Sequence, residues 1–211
     1  MSGSPGFPAY DAAADYAALD EHARAILDTW FGAPGSATCG QDRKLWFARD
    51  AAFDAMLRER FGALLEAAGQ GALDAWAHTP LGALALVILL DQFSRNIHRG
   101  TARAFETDGR ALSIARQMVA NGIDLRLPGL FHRAFAYMPF EHDESPGSQR
   151  EAVRLFKPFQ GQPGGASYYR SALRHAAVIE RFGRFPHRNA LLGRASTEEE
   201  TVFLRKPGSS F

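Results

Sequence analysis

The sequence predicts an all-α protein: eight or nine helices joined by short loops and stacked as antiparallel helical hairpins, in a tetratricopeptide-like superhelix or bundle. Three observations lead there. Apolar residues recur at steps of three and four, the period of one helix face. Helix-starting and helix-stopping residues punctuate those stretches. No segment alternates apolar and polar residues over five or more positions between turns, as a half-buried strand would. The 34-residue tetratricopeptide consensus itself is not legible, so any repeat has degenerated.

The elements follow in order. Residues 1–12 are expected to be a mobile N-terminus, 13–206 a single helical domain and 207–211 a tail. Leu19, Ala23, Ile26, Leu27, Trp30 and Phe31 form one stripe, broken by the Gly-rich residues 32–40. Residues 50–68 carry Phe53, Met56, Leu57, Phe61, Leu64 and Leu65 at helical spacing, with Trp46 and Phe47 expected across the first turn. A short helix surrounds Leu73 and Trp76. Thr79-Pro80 is a cap followed by a residue suited to the first helical position. The helix it starts is apolar on every side through residues 84–90 and continues to Ile97, so it belongs at the centre.

Thr101 opens a helix through Phe105, Leu112, Ala115 and Met118, closed by Asn121-Gly122. Leu127-Pro128 opens one carrying Phe131, Phe135 and Met138, ended by Pro139. Ser145-Pro146 starts another, with Val153, Leu155 and Phe156. Residues 161–165 are a loop, and residues 168–182 a helix with Tyr169, Leu173, Ala176, Ala177 and Ile179 inward. Pro186 ends it, leaving His187 to Asn189 on a turn. Ser196-Thr-Glu-Glu199 is a capping-box pattern for a final short helix.

Composition narrows the function classes. With 211 residues, 46% of them apolar and 22% charged, the chain reads as a soluble globular domain. A net charge of +1 argues against a general electrostatic grip on nucleic acid or an anionic membrane. The longest apolar run, residues 81–90, is too short to span a bilayer, and no secretory signal pattern opens the chain. The single cysteine, Cys39, forms no intramolecular disulfide, which fits a cytoplasmic protein. No cofactor fingerprint or preformed metal array occurs, so neither a cofactor nor a metal is expected.

Three polar clusters interrupt this apolar pattern. The first is Asp91, Gln92, Arg95, Asn96, His98 and Arg99 at the end of the central helix. Asp91 and Arg95 share a face, as do Gln92, Asn96 and Arg99. An Asp91–Arg95 pair at an ordinary helix end would account for part of it. The second is Glu141, His142, Asp143 and Glu144, either a solvated acidic turn capping the next helix or an acid–base pair. The third is Arg181, Arg184, His187, Arg188 and Asn189, either surface arginines with a capping Asn189 or a binding loop. The remaining histidines, His22, His78, His132 and His175, are isolated in sequence and read as structural.

At these clusters the chain resembles a family of uncharacterised bacterial proteins, domain-of-unknown-function family 924. The motif running from Asp91 to Thr101 and that from Arg181 to Asn189 resemble its two signatures. The stretch from Tyr137 to Glu144, with Gln149, is similar to its middle motif, and Trp46-Phe47 with residues 26–32 to its N-terminal part. The resemblance spans roughly residues 20–206 and implies an all-helical, tetratricopeptide-like fold and no activity. It also implies proline where this chain has Ser94, which bears on the orientation of Arg95 and Asn96.

The sequence therefore directs attention to one polar pocket. Arg95, Arg99, Arg184 and Arg188 would supply positive charge; Asp91, Gln92, Asn96, Glu141, His142, His187 and Asn189 would orient them and touch the ligand. The expected ligand is a small anion or a peptide carboxylate. One alternative is a hydrolase using His142 or His187 as general acid/base beside Glu141 or Asp91. Another is a protein-interaction scaffold, by analogy with tetratricopeptide-like stacks.

Overall fold

The computed structural model describes residues 10–210; the first nine residues of the expected mobile N-terminus lie outside it. All regular structure among the described residues is helical. Asp11 caps α1 (Ala12–Ala18) and Asp20 caps α2 (Glu21–Phe31), so the expected first helix is two. The break lies at Leu19–Asp20, where the backbone is extended and the Asp20 carboxylate accepts from the His22 amide. α3 (Ala51–Gly69) is capped by Asp50. Thr79 and Pro80 start α4, residues 80–97, as expected.

α4 is the axis of the molecule. Residues 80–94 are all buried, and α1, α2, α3, α5 (Asp108–Ala120) and α6 (Leu130–His142) pack around it. Gly82 makes this possible at one end, because a Cβ there would lie 2.2 Å from the Trp76 carbonyl oxygen of the preceding turn. The other end is a π-helical segment, Ile88–Phe93, followed by Ser94–Ile97. Such bulges recur at functional sites. Ser94 lets the helix continue: its hydroxyl lies 3.2 Å from the carbonyls of Asp91 and Ala104.

The remaining helices pack in chain order, α7 (Pro146–Phe156) on α6 and α8 (Ala166–Phe182) on α7. α9 (Glu198–Leu204) closes the chain. Several boundaries differ from expectation. Thr101 begins a 3-10 turn, Ala102–Phe105, and the α-helix starts only at Asp108. Pro139 lies inside α6, which runs on to His142. The ring removes one intrahelical hydrogen bond, while buried Phe135, Tyr137, Met138 and Phe140 hold the helix on both sides of it. Gly183, at φ +68°, ends α8 before Pro186 is reached. The capping box is Thr197 with Glu200, one residue later than read. Leu173 and Ala177 are exposed; the buried face of α8 runs instead through Tyr168, Ala172, His175, Val178 and Ile179.

Aromatic rings fill the junction of α2, α4 and α6. Trp30 is fully buried, with Phe93 and Phe135 edge-on at 5.7 and 5.3 Å. Trp46 joins this group rather than the first turn of α3, and its indole N–H donates to the Trp30 carbonyl at 2.8 Å. Phe47 is 65% exposed. A smaller cluster of Val178, Ile179 and Phe185, with Phe182 and Phe203, ties α9 to the end of α8.

His132 on α6 stacks on Phe31 at 4.3 Å, and burial pulls its pKa down to about 4. The folded form thus binds a proton less readily than the unfolded chain, and stability should fall as pH drops from about 6.5 towards 4. His132→Phe should raise the calorimetric melting temperature at pH 5 more than at pH 8. An equal change at both pH values would contradict this.

Candidate functional site

The π segment of α4 carries Asp91 and Gln92 into the interior, and Asp91 is fully buried. A buried carboxylate requires partners. The ring Nδ1–H of His142, in the last turn of α6, donates to Asp91 Oδ1 at 2.7 Å. Arg95 Nη1 lies 3.1 Å from the same oxygen, and the Gln92 amide donates to Oδ2 at 2.5 Å. Burial pushes the Asp91 carboxyl up, but the charge of Arg95 and the bonds from His142 and Gln92 outweigh it and hold it well below the usual range.

Arg95 extends the network outward. Its guanidinium forms a two-pronged bond with Asp108, at the start of α5, at 2.8 and 3.0 Å, and donates to the Asp91 carbonyl at 2.7 Å. Arg188 arrives from the 3-10 turn Pro186–Arg188. Its Nη2 donates to the His142 carbonyl at 2.9 Å, and its Nη1 is 3.5 Å from Asp108. The guanidinium carbon lies over the rings of Phe105 and Phe185 at 4.6 and 4.7 Å. Its Nε is buried without a hydrogen-bond partner. Burial, with the charge of Arg95 next to it, lowers the Arg188 pKa to about 10.

The expected residues thus divide. Asp91, Gln92, Arg95, His142 and Arg188 come together, and His187 sits near, within electrostatic range of Arg188, His175 and His142. Burial lowers the His187 pKa to about 4. Asn96 and Arg99 turn instead to Asp54 of α3, at 2.7 Å for the amide and 2.6 and 3.0 Å for the guanidinium. Asn96 and Arg99 keep the shared side that their spacing implies, apart from Asp91 and Arg95. Arg184 and Asn189 bond Glu200 of α9, which Arg184 foremost holds down to about 2. Asn189 does not cap a short helix.

The residues from Glu141 to Glu144 are not a solvated acidic turn. Glu141 is buried and faces α8, where Ser171 Oγ donates to it at 2.6 Å and His175 Nδ1 lies at 2.7 Å. Asp91, not Glu141, is therefore the carboxylate partner of His142. Asp143 accepts from Ser145, which caps α7, and Glu144 accepts from Arg194 and from the Phe185 amide. His175 is the histidine that sequence spacing missed: its ring is 6.3 Å from that of His142. Asp108 was missed as well, although an acid in the first turn of α5 is a signal that could have marked it.

The network is partly reached by solvent. Side-chain exposure is 21% for Arg95, 19% for Asp108 and 17% for His142, against 8% for Arg188. Burial, followed by the charge of Arg95, lowers the His142 pKa against the pull of Asp91, so the ring is neutral at pH 7. Its bond to Asp91 is made through Nδ1, and Nε2 bonds none of the described residues. A cavity of about 330 Å³ lies elsewhere, among Arg116, Val119, Phe140, Ser148 and Glu151. Another of about 200 Å³ lies among Leu65, Glu66, Ser94, His98 and Thr107. No group of three or more His, Cys, Asp or Glu among the described residues is arranged to hold a metal ion. No helix there is long and apolar enough to cross a membrane.

The fold and this site define an all-helical protein built around a buried helix whose end carries a linked set of acids, arginines and a histidine. The chain belongs to a family of bacterial proteins of unknown function, DUF924, whose model matches residues 26–208. It is similar to a protein of unknown function, ATU0120, from Agrobacterium tumefaciens: the solved structure aligns with a TM-score of 0.75 at 37% identity, over 92% of this chain and 99% of that one. No match was found among curated proteins.

Asp91→Asn should leave Arg95 buried and undercompensated and destabilise the protein by about 3 kcal/mol or more, read from denaturant unfolding. The same change removes the group that raises the His142 pKa, so the His142 titration followed by NMR should move further below 6.5. An unmoved titration would show that Asp91 does not govern the ring.

Proposed function

We propose that the protein binds a small anionic ligand at the rim formed by Arg95, His142 and Arg188. One observation carries this reading: the Arg188 Nε is a buried guanidinium donor with no partner. An unmade hydrogen bond to a charged group costs more than one to a neutral group, and a native fold rarely tolerates it without a use. Arginine is the side chain suited to two-oxygen anions. Arg188 is held by its bond to the His142 carbonyl and by the rings of Phe105 and Phe185, its contact with Asp108 is long at 3.5 Å, and its Nε is the donor left for a ligand. Gln92, Asp91 and Asp108 serve as the scaffold that fixes the cations. The reading places the protein in the cytoplasm, where small organic anions are abundant and a lone thiol stays reduced.

A second reading is favoured by the Asp91–His142 pair. A carboxylate on Nδ1 fixes the tautomer and leaves Nε2 to take or give a proton, the arrangement of a general base. In that case the anion is a substrate. A panel of hydrolase substrates should then be turned over by the wild type and not by His142→Asn. Turnover equal in both would exclude the histidine.

Binding itself is tested by thermal shift and calorimetry with acetate, sulfate and phosphate. An anion at a hundredfold over its Kd should raise the melting temperature by about 5–10 °C. Arg188→Met should abolish that rise while leaving the unliganded protein as stable or more so, because it removes a poorly compensated buried charge. Wild-type protein indifferent to every anion would refute the proposal.

A further inference from the structure

We propose that this site takes a small monocarboxylate together with one proton, which is stored on His142; the inference rests on the anion-binding reading above and names the ligand class and its linkage. The argument begins with charge. The side chains bonded together at the rim are two arginines, Arg95 and Arg188, and two carboxylates, Asp91 and Asp108. Their charges cancel, and the fifth member, His142, is neutral at pH 7. A monoanion arriving alone would leave a net negative charge in a largely desolvated site. A proton entering with it restores neutrality. A dianion would stay uncompensated even then, so the site selects singly charged acids over sulfate or doubly ionised phosphate.

His142 is the group placed to take that proton. Its Nδ1–H is committed to Asp91, and Nε2 is the ring position left for a proton. The groups facing it are Asp91 and Arg95 from α4, Asp108 from α5, His175 from α8 and Arg188 from the following turn. His175 is turned to Glu141 at 2.7 Å, and His187 is held neutral by burial and by Arg188. Arg188 bonds the backbone carbonyl of His142, which ties its guanidinium to the same residue whose ring takes the proton. In the step, the carboxylate keeps its electrons and forms no covalent bond; one proton passes from solvent to Nε2, and the imidazolium then faces the bound anion. Burial and Arg95 hold the free ring below 6.5, and the bound anion raises it, so binding tightens as pH falls.

Isothermal calorimetry of the full chain with acetate at pH 7.0, in two buffers of different ionisation enthalpy, counts the protons. The expected result is uptake of about one proton per acetate, affinity falling towards tenfold per pH unit between the free and bound pKa values of His142, and weaker binding of sulfate. His142→Asn keeps an amide donor for Asp91 but does not titrate; it should bind acetate without proton uptake and with a flat pH dependence. Acetate binding by the wild type without proton uptake, or sulfate bound more tightly than acetate, would overturn this inference and leave the anion site standing. Binding of none of these anions would overturn both.

Discussion

The structure is organised around the need to neutralise one carboxylate. α4 is apolar for most of its length, and its position at the centre buries Asp91 and Gln92 near its end. Asp91 therefore has to find all its partners inside the protein. Arg95 and Gln92 come from the same helix, and His142 comes from the end of α6. Fixing those groups fixes where α6 must end, despite Pro139 within it. It also obliges Arg95 to share its second edge with Asp108 at the start of α5. One buried charge thus sets the relative placement of the three helices.

Arg188 is recruited differently. It sits on a short turn beyond α8, outside the main core and beside the small cluster around Phe185. Charge pairs hold that turn: Glu144 accepts from Arg194 and from the Phe185 amide, and Glu200 accepts from Arg184 and Asn189. The third polar motif therefore does two separate tasks. Arg184 and Asn189 fasten the segment, and Arg188 alone reaches the network.

Most of the helical order was legible because periodicity and caps act locally. Thr79-Pro80, Ser145-Pro146 and the apolar ring of α4 read directly from residue types. What escaped depends on the register between helices. On α8, Leu173 and Ala177 read as inward, whereas the buried face passes through His175, which packs on Glu141. A lone histidine in a run of apolar residues gives no sign of a carboxylate 34 positions away. At the end of α4 the π segment adds residues to a turn, so spacing rules built on 3.6 residues grouped Arg99 with Gln92 when Arg99 faces Asp54. The sequence likewise places the arginines in motifs without saying which of them are already paired.

That last distinction separates the candidate site from ordinary ionic scaffolding. Arg99 with Asp54, Arg184 with Glu200 and Arg194 with Glu144 are each two-pronged bonds at normal distances, and each needs nothing further. Arg188 is more deeply buried than any of those arginines, yet its contact with Asp108 is long and its Nε is orphaned. A fold shaped for stability alone would do better with an apolar side chain of similar volume between Phe105 and Phe185. The same packing site instead holds a guanidinium with one donor left unbonded, next to a histidine whose Nε2 bonds no described residue. What is missing there is a hydrogen-bond acceptor for Nε, which a bound carboxylate would supply.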